Sequence, residues 1–422
     1  MFFVKVIIFK LMITKKCRIC EKRLLNVIKF NKVALSGSFL KKNQIRKEKK
    51  YSLSLLVCKS CKHVQINNII NPNILFSHYD WETGVSKSNI SLIRSLLFKL
   101  RKNFRFKKNS KIFEVASNDG TLLNEFKNYC GKSNILGIDP AKNLKKISDK
   151  KNIPTILGYF SYNKSKEIYK KYKKFDFCVA RNVIAHAKDP NSIFKGVKNI
   201  LKEKGIFVIE VPHLYNIFKD NQYDNIFHEH LGFHSLKSIK DLCNINLLKL
   251  IDVELIDSQG GSIRCYISHQ NFKKKINNRV KNILKKEIEI GLFKLTTWKI
   301  FSNKISHHRK KLRNYLLKIK NNKKIISAYG ASGKGQALLQ FCGIDSKIIS
   351  HVYDKSIFKQ GKYTPGTHLK IVNPKFINKH MPDYLLLLSW NIVREIARQE
   401  KKYLSGNGKI IIPFPKPKIF IR

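Results

Sequence analysis

Acidic residues are scarce: 28 Asp and Glu stand against 84 Lys and Arg, a formal net charge of +56 over 422 residues. A polyanionic partner is one reading of such a balance. The lysines are spread along the whole length in pairs and triplets, neither gathered into one arm nor alternated with stacking aromatics. That spread points to background composition, and neither nucleic acid nor membrane is expected as a partner. The surplus field still attracts small anionic substrates. Long apolar runs are also missing. The start, MFFVKVIIFKLMI, is broken by Lys5 and Lys10, is too short to span a bilayer and precedes no small-residue cleavage site. A first strand, or a start codon placed too early, is the expectation for it, and the cytoplasm for the protein. An even cysteine count is absent as well: nine cysteines with two CxxC pairs argue for metal in a reducing compartment rather than disulfides. Neither a G-x-G-x-x-G fingerprint nor a P-loop occurs.

What is present suffices for a large core. Hydrophobic residues make up 43% of the chain, with 27 Phe, and the length implies two or three domains. The most informative stretch is Ile112 to Asn124, IFEVASNDGTLLN, which reads as a strand, a small polar loop ending in glycine, and a helix. A Rossmann-like sheet presents backbone N–H groups to a nucleotide-like ligand in this way. About 19 residues past Gly120, ILGIDP ends a second strand on Asp139, where such folds hold ribose hydroxyls.

In chain order, Cys17-x-x-Cys20 and Cys58-x-x-Cys61 can close a four-thiolate shell around zinc. Such a shell has no open position, so its role is structural. Tyr79 and Trp81 line a pocket or fill inter-domain core. SLIRSLLFKLRKNF has the spacing of an amphipathic helix. KIFEVA, NILGID, FDFCVAR, GIFVIEV and SIRCYIS alternate with helices, as in a doubly wound sheet, and the helix before GIFVIEV is expected to run to Gly205. FDFCVARN ends at Asn182, placing Asn182 and His186 near the ligand crevice. In His228-Glu229-His230 the spacing is too tight for a helical metal site. A His beside a carboxylate is either a general base or a structural turn. Gly260 and Gly261 permit close backbone approach or a bend. Residues 272 to 320 read as one or two linking helices. YGASGKGQALLQFCG and IISHVYD repeat the strand–loop–helix pattern, with Lys334 between glycines suited to phosphate.

The chain resembles the S-adenosylmethionine-dependent sugar C-methyltransferases that act on nucleotide-linked keto-deoxysugars. The likeness lies in the two CxxC pairs, EVASNDGTLL, LGIDPAKNL, ARNVIAHAKDP, EVPHL, YDNIFHEHLGFHSL, GGSIRCYIS, YGASGKGQALLQFCGI and QGKYTPGTHLKI, in that order. It implies an α/β fold with a small zinc-binding domain (13–75), a central Rossmann-like S-adenosylmethionine methyltransferase domain (76–270), a helical linker (271–320) and a C-terminal Rossmann-like substrate domain (321–422). It implies S-adenosylmethionine and structural Zn2+ as cofactors and a nucleotide-linked keto-sugar as substrate, and it fixes no oligomeric state. His230 is the implied base, with Glu229 beside it and Tyr79 (or Trp81) as the active-site aromatic. Glu114, Ala116, Ser117, Asn118, Gly120, Asp139, Pro140, Phe160 and Asn182 are the implied cofactor set, with Gly158 to Phe160 flanking adenine. His186, His228, Gly261, Ser262, Arg264, Lys334 and Tyr363 are the implied substrate set; Cys17, Cys20, Cys58 and Cys61 hold the metal. Three positions depart from the family pattern: Phe227 replaces a tyrosine, His213 stands in an EVPY-type stretch, and Gln259 stands where a histidine is expected. Three rival readings are a sugar O-methyltransferase, a zinc-ribbon RNA methyltransferase, for which the expected NPPY-type or nucleophilic-cysteine motif is absent, and a non-catalytic sugar-nucleotide-binding or scaffold protein.

Overall fold

In the computed structural model, residues 16–421 are described, together with the backbone of 12–13. The expectation for the apolar start at 1–11 lies outside the described residues.

A seven-stranded sheet forms the middle of the molecule. Its order is Leu248–Ile256, Ser262–His269, Leu201–Pro212, Phe175–Arg181, Ile112–Val115, Ile135–Asp139 and Thr155–Leu157. Five of these strands run parallel, and Ser262–His269 is antiparallel to both its neighbours. The short strand 155–157 and the long strand 248–256 were not among those read from sequence. Strand Ile112–Val115 lies between Ile135–Asp139 and Phe175–Arg181, so the chain leaves its tip at the point where strand order reverses, and the ligand crevice of such a sheet opens there.

The amphipathic pattern after Ser86 folds as helix Lys87–Phe104, burying Ile93, Leu96 and Leu100 at helical spacing under a Ser86 cap. The helix expected to reach Gly205 spans only Pro190–Ile200. Leu201 takes extended geometry (φ −88°, ψ 134°) and pairs with Phe175, so sheet pairing outcompetes helical periodicity there.

The N-terminal sheet contains Leu24–Ala34, Lys50–Cys58 and Val64–Ile66, and its fourth strand is Gly232–Phe233, from the segment just after His230. The C-terminal sheet runs Ile371–Val372, Val352–Tyr353, Ile326–Tyr329, Tyr384–Leu387, Lys409–Ile412 and Lys418–Ile419, with all but the last pair parallel. Helices Asn278–Glu289 and Leu295–Asn321 connect the two larger sheets. One apolar core joins Leu53, Leu55 and Val57 of the N-terminal sheet to Phe227, to Trp298 and Leu312 of the long helix, and to Leu338 and Leu386 of the C-terminal unit. The segment bearing His230 is thus clamped between three units. Among the described residues no helix is long and apolar enough to cross a membrane.

Candidate active site

The cofactor loop is built on left-handed backbone: Ala116 (φ 55°), Asn118 (54°) and Gly120 (74°) turn the chain sharply after Val115. Asp139, at the tip of the adjacent strand, fixes the turn by accepting the Asn118 N–H and the Ala141 N–H, both at 2.8 Å. Pro140, between them, has no N–H to compete. Burial raises the Asp139 pKa, opposed by those two donors. Ser117 Oγ presses on the neighbouring strand, where a Cβ on Gly137 would fall 2.5 Å from it, so only glycine fits.

Among the described residues, three buried oxygens at the tips of these strands and their loop have no partner: Glu114 Oε2, Ser117 Oγ and Asn182 Oδ1. Asn182 is held in left-handed geometry (φ 53°), with its N–H on Glu210 O at 2.8 Å. Burial holds the Glu114 carboxyl well above the usual range, with Arg181 opposing. Orphaned acceptors of this kind suit a ligand bringing its own N–H donors and positive charge, as the ammonium of S-adenosylmethionine does. The residues present fit that group.

A strap crosses the loop. Thr83 N–H donates to Asn118 Oδ1 (2.9 Å), Asn118 Nδ2 to Trp81 O (3.1 Å) and Gly84 N–H to Asp119 Oδ2 (3.1 Å). Trp81 is 39% exposed. Tyr79 turns inward: burial and the nearby Glu229 and Asp139 carboxyls raise its phenol pKa. Of the two aromatics, Tyr79 joins the cluster.

Opposite the loop, His230 Nδ1 donates to Asn225 O at 2.7 Å, leaving Nε2 as the ring's acceptor. His186 does likewise, with Nδ1 on Glu229 O at 2.8 Å, and the two rings meet edge-on at 4.9 Å. Burial, then the neighbouring His186 and Lys334, press His230 well below the imidazole range; burial takes His186 to about 4. Both rings are neutral at pH 7. The Glu229 carboxyl does not orient His230, although it is adjacent in sequence. It rests on Gly37, where it receives the N–H and where any Cβ would collide with Oε1, and burial raises its pKa to about 7, against Gly37 and Lys359. Phe227, in place of the family tyrosine, stacks on His230 (4.2 Å, 39°) and covers Gly333. Lys334 lies beyond it, buried over the Trp390 ring (4.9 Å), with Nζ on Gln259 O at 2.9 Å. Burial lowers its pKa and Asp224 opposes; Asp224 itself accepts Trp390 Nε1–H at 2.8 Å.

Several expectations are corrected. Phe160 is core, against Phe113 at 5.3 Å; Tyr159, half-exposed and close enough for Asp139 to raise its pKa after burial, is the ring beside that acid. His228 turns away, donating from Nε2 to Ser52 O at 3.2 Å. Arg264 is fully buried and spent on Glu210 (2.7 Å) and Leu92 O (3.1 Å), as central-strand cations must be paired. Ser262 Oγ returns to Ser258 O at 2.8 Å, and Gly261 lies against the Asn216 amide, so this glycine turn serves local packing. The backbone pairing of Tyr363 with Leu40 (2.8 and 3.0 Å) does not contradict the substrate role expected of its side chain. His213 pairs with buried Glu287 at 2.7 Å. Lys359, Gly37 and Trp390 were missed, and no local motif marks them.

The four cysteines converge. Cys17–Cys61 Sγ atoms are 3.6 Å apart, Cys20–Cys58 and Cys20–Cys61 3.4 Å, and all four lie within 4.8 Å of one another. A zinc–thiolate tetrahedron with bonds near 2.3 Å has edges of roughly 3.8 Å, so the thiolates fit Zn2+ with no position to spare.

Three family models cover most of the chain: a zinc-binding domain at residues 17–76, a methyltransferase domain at 89–247 and a C-methyltransferase C-terminal domain at 257–415. C-methyltransferase NovU of Streptomyces niveus is 30% identical over 406 residues, 96% of each chain. Solved structures are more loosely alike. A SAM-dependent methyltransferase from Anabaena variabilis has 12% identity and a TM-score of 0.36 over 47% of this chain and 89% of that one. Magnesium protoporphyrin IX methyltransferase from Synechocystis, with bound SAM, has 9% and 0.33 over 43% and 79%. The chain therefore belongs to the S-adenosylmethionine-dependent C-methyltransferases that carry a zinc-binding domain, the family of NovU.

Proposed function

We propose that this C-methyltransferase removes the proton alpha to the keto group of a nucleotide-linked 4-keto-deoxysugar and that the same carbon receives the methyl group. The observation that carries this reading is the tautomer of His230: with Nδ1–H held by Asn225 O, Nε2 keeps its lone pair, and the ring meets His186 edge-on at 4.9 Å. A neutral imidazole is a base available at neutral pH, whereas an imidazolium is not.

S-adenosylmethionine supplies an electrophilic methyl group, so that step asks chiefly for alignment and exclusion of water. Glu114 and Asn182 would hold its methionine end, the 116–120 backbone would cradle it, and Asp139 with Pro140 would face the ribose, with Tyr159 at the adenine side. His186 Nε2 and the Tyr79 hydroxyl would bind the sugar's oxygens. Lys334 offers buried positive charge on the side of the C-terminal sheet, suited to a diphosphate or to the charge that develops on the keto oxygen. The division 13–75, 76–270, 271–320 and 321–422 is the functional partition we infer: metal, cofactor, link and substrate units.

Incubation of the zinc-loaded enzyme with S-adenosylmethionine and a panel of dTDP- and GDP-linked 4-keto-6-deoxysugars tests this reading. The expected product carries a new methyl on the carbon next to the carbonyl, seen by NMR as a C–CH3 group. A methyl found on oxygen, or on no member of the panel, would refute it.

A further inference from the structure

The zinc knuckle lies far from His230 in sequence but touches its segment. Arg18 sits between two metal ligands, Cys17 and Cys20. Its backbone N–H donates to Gln65 Oε1 (2.9 Å), which anchors the knuckle to strand Val64–Ile66. Its guanidinium is buried and reaches across that strand: Nη1 donates to Leu231 O at 2.5 Å and to Ile66 O at 3.2 Å. Leu231 is the residue after His230. Its carbonyl also accepts the Ile66 N–H (3.2 Å), where the base segment joins the N-terminal sheet as strand Gly232–Phe233, paired with Gln65 and Val64. Two donors, one of them from the knuckle, thus meet on one carbonyl beside the base.

A four-thiolate zinc centre carries a net charge of −2, and a buried guanidinium next to it is its natural counter-charge. The same cation is a bidentate donor of fixed shape, able to set the position of a carbonyl in a way a flexible ammonium does less well.

We propose that Arg18 is a positioning residue for methyl transfer: it transmits the fold of the zinc knuckle to the Leu231 carbonyl and so fixes His230 in the active cavity. The zinc domain then serves the chemistry indirectly, through the placement of the base. This rests on His230 being the base.

The test compares zinc-loaded wild type, Arg18→Met, Arg18→Lys and His230→Asn. Zinc content, S-adenosylmethionine affinity, kcat and KM are measured. So is the rate at which a nucleoside-diphosphate 4-keto-6-deoxyhexose exchanges its alpha hydrogen in D2O with S-adenosylhomocysteine bound. Arg18→Met is expected to keep its zinc, its cofactor affinity and its sugar-nucleotide KM. Exchange and kcat should fall together by roughly 10- to 100-fold, as for a base misplaced by about an ångström. Arg18→Lys should recover part of the loss. Wild-type exchange in either Arg18 variant overturns the proposal. So does loss of zinc or cofactor affinity in step with exchange, which would make Arg18 a fold-holding residue only. Should Arg18→Met fail to fold, Arg18→Lys alone decides by the same criteria. Failure of the base assignment itself would appear separately, as a His230→Asn enzyme that still exchanges.

Discussion

The central and C-terminal sheets repeat one device with opposite charge. In both, the acid at the tip of a parallel strand accepts backbone N–H groups from the neighbouring loop. Asp139 takes Asn118 and Ala141 at 2.8 Å each; Asp354 takes Ala331 at 2.6 Å and Ser356 at 2.8 Å. The surroundings then diverge. Around Asp139 stand Glu114 and Asp119, with unmatched acceptors facing the crevice. Beside Asp354 stands Lys359, which donates to Ala331 O at 3.0 Å and lies 3.8 Å from the acid. The backbone pattern is shared, while the side chains beside it differ: acids at Asp139 and a lysine at Asp354. A shared backbone pattern therefore does not fix what each crevice holds; the side chains around it must decide.

The comparison is sharpened first at adjacent rings beside Asp139. Phe160→Ala should cost about 3–5 kcal/mol of folding stability, because the ring is core. Tyr159→Ala should stay within about 0.5 kcal/mol in urea melts while raising the KM for S-adenosylmethionine. The reverse ranking would return Phe160 to the cofactor.

Glu229, lodged between the N-terminal sheet and the cofactor crevice, gives the next effect. Its folded pKa of about 7 lies above the ordinary 4.5. Below pH 4.5 both states are protonated and its contribution is fully present. As pH rises toward 7, the unfolded chain ionises while the buried carboxyl does not, so stability drains away by about 3 kcal/mol. Glu229→Gln has no such term. The unfolding free energy of wild type minus that of Glu229→Gln should therefore fall between pH 4.5 and 7; a flat difference would place the carboxyl in a better-solvated setting. The smallest effect contrasts the two acids. Asp139→Asn should lose about 1.5–3 kcal/mol of S-adenosylmethionine affinity by calorimetry. Asp354→Asn should leave that affinity within about twofold and weaken the sugar nucleotide instead. Equal losses from both would erase the distinction.

What the sequence disclosed follows the range of each interaction. The cofactor loop and Asp139 were legible because strand, turn and acid are set by neighbours in the chain. The cysteine shell was legible because paired knuckles have few other uses. His230 stood out as a titratable group beside an acid, yet its actual orienting partner is a backbone carbonyl, at Asn225, which no side-chain pattern reveals. Glu229 does not orient the adjacent ring because successive side chains point apart, sending the carboxyl to Gly37. Arg264 was misread because a basic residue after a glycine pair looks like a ligand contact, whereas the central antiparallel strand buries it against Glu210. Trp390 and Lys359 were silent because their partners, Asp224 and Glu229, are brought to them only by domain packing.

The central claim, that a neutral imidazole at 230 draws the proton next to the keto group, is tested most directly by titrating S-adenosylmethionine into His230→Asn and then measuring methyl transfer by the same protein. The account predicts wild-type cofactor affinity, with turnover reduced by about 10²–10⁴-fold. Turnover near wild type in that variant would contradict it.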